Sequence, residues 1–80
     1  METRVAVISI IIDNTDSAER LNSVLHDYGE FIIGRMGIPY REKNIHIITV
    51  AIDAPSDVIN ALTGAIGRIA GVTAKAAFSK

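Results

Sequence analysis

The chain has 80 residues and a formal net charge of −1, is 49% hydrophobic but only 5% aromatic, and contains no cysteine. That composition describes one domain with no disulfide, thiolate chemistry, cysteine-held zinc or iron–sulfur ligation, suited to a reducing, cytoplasmic setting. A chain this short buries only about 60% of its unfolded surface, so a mean hydropathy of +0.32 points to oligomerisation as the remaining source of core.

Arg4–Ile12 reads as the first strand, with Val5, Val7, Ser9 and Ile11 on one face and Ala6, Ile8, Ile10 and Ile12 on the other. It is far shorter than the roughly 20 residues a bilayer span needs. It ends in Asp13-Asn14-Thr15-Asp16 with no small-residue cleavage site, so it is not a secretory segment either. The first helix is expected over about Asp16–Tyr28, where Ala18, Leu21, Leu25 and Tyr28 recur at helical spacing beside Val24. Thr15 or Asp16 is expected to cap it, Asp16 with Glu19 resembling a capping box. Gly29 is a candidate left-handed stop.

The second strand is expected over Phe31–Ile38, with Pro39 at its end or in the turn because proline cannot donate to a ladder. Tyr40–Asn44 is a polar hairpin connection to a third strand over Ile45–Ile52. Asp53-Ala54-Pro55-Ser56 ends that strand, and Ser56 is the expected cap of a second helix. That helix spans about Asp57–Ala70 with an apolar stripe of Val58, Ile59, Leu62, Ala65, Ile66 and Ile69. Gly64 and Gly67 each cost about 1 kcal/mol against alanine in a helix interior, which points to close approach to the sheet or another subunit. Gly71 stops the helix, Val72–Phe78 is the fourth strand, and Ser79-Lys80 is a short tail.

This order predicts an α+β, ferredoxin-like βαββαβ sandwich, a four-stranded antiparallel sheet with two helices on one face. The other face should be polar if it meets water. It is not: the first strand is apolar on both sides, and the third divides into Ile45 and Ile47 against Ile48, Val50 and Ile52. The second sets Ile32, Met36 and Ile38 against Phe31 and Ile33. A second subunit covering this face or extending the sheet edge, in a homodimer or tetramer, is the expected resolution.

Chemistry-bearing residues are few. A metal needs three or four converging ligands, and His26 and His46 can supply that only with symmetry-related copies across an interface. Arg35 and Arg41 can bind a carboxylate or phosphate or clasp a subunit, although surface pairing and hairpin chemistry also account for them. Asp13 and Asn14 follow the first strand, where a ligand can be held, and equally suit turn formation. No catalytic set is present, so an enzyme is not expected, and no cofactor is implied. Scattered Lys and Arg with no basic stripe, and first and third strands without aromatics, argue against nucleic-acid binding. The chain also lacks a CxxC copper motif and an arginine-bearing phosphate cradle after the first strand.

Two stretches carry a family resemblance. Arg35-x-Gly37-x-Pro39-x-Arg41-Glu42-x-Asn44 is followed by Asp57-x-Ile59-x-Ala61-Leu62-x-Gly64-x-x-Gly67-x-Ile69-x-Gly71-Val72, and Leu25-His26 precedes the second strand. Together these resemble the small proposed regulators associated with iron-only hydrogenase systems, over essentially the whole chain. That family is similar in fold to ACT domains and to the C-terminal, nickel-sensing domain of the nickel repressor. The resemblance implies a ferredoxin-like regulatory module that oligomerises through its sheets and is linked to hydrogenase expression or maturation in anaerobic bacteria. The repressor's nickel ligands, several histidines and a cysteine, are not reproduced, and no ribbon-helix-helix segment precedes Arg4, so neither nickel nor direct DNA binding is expected. The expected function is a regulatory, transcription-related oligomer that binds a small effector, with Asp13, Asn14, Arg35 and Arg41 as contacts, and passes the signal to a partner protein. The alternatives are a scaffold in hydrogenase maturation without a small ligand, and a metal sensor built on interfacial His26 or His46.

Overall fold

The computed structural model describes residues 2–79, apart from the side chain of Thr15. The strands β1 (Arg4–Ile12), β2 (Ile32–Tyr40), β3 (Ile45–Ala54) and β4 (Val72–Phe78) form one antiparallel sheet in the order β2-β3-β1-β4. The helix α1 (Ala18–Asp27) joins β1 to β2, and α2 (Ser56–Gly67) joins β3 to β4. This is the ferredoxin-like arrangement expected from the element order. It makes the hairpin-linked β2 and the C-terminal β4 the two edge strands.

Alternation along the central strands decides what each sheet face carries. Ala6, Ile8, Ile10 and Ile12 of β1 pair with Ile52, Val50, Ile48 and His46 of β3. All of these except the half-buried His46 are buried, in one cluster with Leu21 and Leu25 of α1 and Ile59, Leu62 and Ile66 of α2. Both helices therefore lie on the same face. Full burial of each such aliphatic side chain stabilises the fold by about 1.5–3 kcal/mol before entropy is counted. From β4, Val72, Ala74, Ala76 and Phe78 pack against the same cluster.

The strand β2 departs from simple alternation. The register shifts between Ile32 and Gly34, a β-bulge, after which Arg35 pairs with Val50, Met36 with Thr49 and Ile38 with Ile47. The extra residue changes the strand's phase. Ile32 then shares the helix side with Arg35 and Gly37, while Ile33, Met36 and Ile38 share the other. The expected grouping of Ile32 with Met36 and Ile38 against Ile33 is thereby corrected. The strand also runs on through Pro39 to Tyr40, which an edge strand permits because a proline with its nitrogen turned outward breaks no ladder bond.

The helix ends differ from expectation as well. The capping assigned to Thr15 lies outside the described side chains, and no Asp16–Glu19 capping box forms. Asn14 instead accepts the backbone N–H of Asp16 at its Oδ1, 3.0 Å away, in a short 3₁₀ turn, and α1 starts after Ser17. Ser56 is the first residue of α2 rather than its cap. The carbonyl of Pro55 accepts the N–H groups of Val58 and Ile59 at 3.0 and 3.1 Å. Gly29 is not left-handed; it opens a 3₁₀ turn over Gly29–Phe31. The second helix ends at Gly67, not Ala70, and a Cβ added at Gly67 would meet nothing within 4 Å. At Gly64 it would meet only the Arg68 guanidinium at 3.5 Å, so these glycines do not mark close approach to the sheet.

Gly71 is the glycine the fold requires, although as the last residue before β4 and not as a helix stop. Its φ is +75°, and a Cβ there would lie 2.6 Å from Asn14 Cβ. Its carbonyl accepts the Asp13 N–H at 2.9 Å, and the buried Ser17 hydroxyl donates to the Ala70 carbonyl at 2.6 Å. These contacts tie the β1–α1 turn to the approach to β4. At the other end Ser79 is bound rather than a loose tail: its N–H reaches the Val5 carbonyl at 2.8 Å, and its carbonyl accepts from Arg4. Arg4 also lies over the Phe78 ring, 4.6 Å from the centroid. Lys80 lies outside the described residues.

Candidate functional site

Two surfaces of β2 stand out. The first is the sheet face opposite the helices. Pairing across the sheet lines up Ile38, Ile47, Ile11 and Thr73 in one row, and Met36, Thr49, Ser9 and Lys75 in the next. Ile33 is 64% exposed, Met36 60%, Ile38 47% and Ile11 45%. Val5, Val7, Tyr40 and Ile47 add to the same apolar area. The patch covers β2, β3 and β1 and stops at β4, where Thr73 and Lys75 face out. Leaving it in water forgoes about 25 cal/mol for every Å² that a partner could cover.

The second surface is a cleft on the helix side, between α1 and the outer half of the sheet. Here β2 presents Arg35, Gly37 and Pro39, and β3 presents His46 and Ile48, because Gly37 pairs with Ile48 and Pro39 with His46. Ala18 and Asn22, one helical turn apart on α1, form the opposite wall. The volume is about 320 Å³. The cleft exists because this part of β2 has no large apolar side chain facing α1. A Cβ on Gly37 would touch only Ile48, at 3.9 Å, so the glycine leaves open space. Arg35 crosses the end of the cleft and donates to Asn22 Oδ1 at 2.8 Å. Beyond that bridge lies a second cleft of about 320 Å³, lined by Leu25, His26, Gly29 and Ile32.

The structure does not gather the four sequence candidates. Arg35 stands in the row of Val50 and Ile8, whereas Asp13 lies just past the end of β1. By strand rise and spacing the two are roughly 19 Å apart. Arg41 is exposed in the β2–β3 turn, where left-handed Asn44 (φ +54°) closes the hairpin. Asp13 and Asn14 are engaged in the turn against Gly71. His26 and His46 line different clefts. Among the described residues no three His, Cys, Asp or Glu side chains come together to hold a metal. Sequence reading missed Asn22, Gly37 and Pro39 as parts of one cleft with Arg35. The i, i+2, i+4 spacing of Arg35, Gly37 and Pro39 on β2 was the available signal.

Comparison with known proteins is consistent with this architecture. The family model TM1266-like, described as "Iron-only hydrogenase system regulator, putative", matches residues 4–76. The structure of uncharacterized protein TM1266 from Thermotoga maritima superposes with a TM-score of 0.94 at 35% identity, covering 99% of this chain and 100% of that one. CPII, a nitrogen regulatory PII-like protein from Thiomonas intermedia K12 solved with ADP, AMP and bicarbonate, is similar at a TM-score of 0.47 and 13% identity over the full length of both chains. That likeness is too distant to bear on this chain. No curated protein matches it.

Proposed function

The chain belongs to the TM1266-like family, and on that premise we propose that it is a non-catalytic, cytoplasmic regulatory module of an iron-only hydrogenase system. It works as an oligomer, binds a small effector and passes the signal to a protein partner. The observation that carries this reading is the apolar sheet face, on which Ile11, Met36, Ile38 and Ile47 stand exposed in one continuous area. A second copy is the occupant that suits it. A two-fold interface uses the same patch on both sides, and the margin carries both signs, Asp53 on β3 and Lys75 on β4, for pairing across it. Effector binding then shifts the population between quaternary arrangements. Of the four residues expected from the sequence, Arg35 is the proposed effector contact, because Asp13, Asn14 and Arg41 lie on other parts of the surface. Among the described residues no helix is long and apolar enough to cross a membrane.

Two measurements test the reading. Light scattering should give a dimer or tetramer mass for the native chain and a monomer for Ile47→Glu, which places a charge at the centre of the patch. A native monomer at micromolar concentration overturns the oligomer. Deleting the gene in a host with an iron-only hydrogenase should change hydrogenase activity in extracts, and unchanged activity overturns the regulatory role.

A further inference from the structure

We infer that the cleft between α1 and β2 binds a small organic carboxylate, with its head on Arg35 and its apolar body over Gly37 and Ile48. This assignment rests on the reading of the chain as an effector-binding regulator. Three features of the cleft select that chemistry. Its cation is held by a neutral group: Arg35 gives one of its five N–H donors to the Asn22 amide at 2.8 Å, a contact that orients the guanidinium without cancelling its charge. A planar carboxylate can accept two further donors side by side. Apart from His46, the rest of the surface is apolar, with Ala18 on one wall and Ile48 and Pro39 on the other, so it suits a hydrocarbon body better than a bare inorganic anion. Finally, the space is already formed. Gly37 leaves about 320 Å³ open where a β-branched residue would otherwise fill the gap under α1, within the usual size range of small-molecule sites.

The test is a titration of the full chain, followed by amide NMR, with straight-chain carboxylates from acetate to hexanoate and with inorganic phosphate beside them. The expected perturbations cluster at Asn22, Arg35–Ile38 and His46–Ile48. Affinity should rise roughly threefold to fourfold per methylene until the cleft is full. Arg35→Gln should weaken binding by roughly tenfold to a hundredfold. Gly37→Val should block the cleft, and an unchanged or higher unfolding midpoint shows that the variant is folded. Perturbations centred on Asp13 and Asn14, phosphate binding as tightly as hexanoate, undiminished binding in both variants, or no response to any carboxylate would each overturn the assignment. The hydrogenase measurement judges the regulatory reading separately, so the two can fail independently.

Discussion

The two edge strands are built on opposite plans. On β4 the helix side carries Val72, Ala74, Ala76 and Phe78, packed on the core, and the outer side carries Thr73, Lys75 and Ala77. That is the ordinary polarity of a half-covered antiparallel sheet. On β2 Ile32 packs on the core, but past the bulge the helix side carries Arg35, Gly37 and Pro39, and the outer side of the strand carries Ile33, Met36, Ile38 and Tyr40, all exposed. Past the bulge the strand is polar or empty where a core would form and apolar where water should be. The contrast separates a strand that closes the domain from one that leaves both faces available for binding. Because neighbouring residues such as Arg35 and Met36 face opposite sides, β2 joins the cleft to the apolar face within one peptide unit.

Substitutions that respect or violate this division test it. The largest effect is expected at the closed half. Leu62→Ala removes a fully buried side chain of α2 and should cost about 2–5 kcal/mol in urea unfolding, a large share of the stability of so small a domain. A loss below about 1 kcal/mol, the lower part of the range for single substitutions, would mean that α2 is not what closes the core. Next comes Gly71→Ala, where a left-handed backbone and the 2.6 Å approach to Asn14 combine for a cost of about 1–3 kcal/mol. Thermal unfolding would show it, and a neutral result would mean the β1–α1 turn moves freely past the start of β4. The smallest effect is expected on β2 itself. Arg35→Gln should change folding stability by no more than about 0.5 kcal/mol, as for surface positions generally. A clear destabilisation would make Arg35 a structural residue and remove the contrast between the edges.

Legibility in the sequence followed how local each signal was. The bounds of β1 and β4 were read correctly because each apolar run and the polar or glycine residues that flank it lie within a few positions of each other. Gly71 was read as the stop of the second helix from its place after the helical pattern, whereas its left-handed backbone serves the entry to β4. The caps were misread because a carbonyl at Pro55 and an amide at Asn14 took the roles assigned to Ser56 and Asp16, and several nearby oxygens can serve those N–H groups equally well. Gly64 and Gly67 were assigned a packing reason that this protomer does not supply. In the candidate site Arg35 was read as a candidate contact for a carboxylate, a phosphate or a subunit, but the side chain it meets, Asn22, lies on another element and carries no sequence signature.

By itself the sequence determined the order of the elements, the aliphatic core and the excess of apolar surface, because periods of two and of 3.6 residues are properties of the local chain. Tertiary structure alone decided the phase of β2. A bulge is settled by the strand it pairs with, and one extra residue moves every following side chain to the other face. That displacement puts Arg35 beside Asn22, leaves Gly37 over an open cleft, and brings Ile33, Met36 and Ile38 onto one apolar surface.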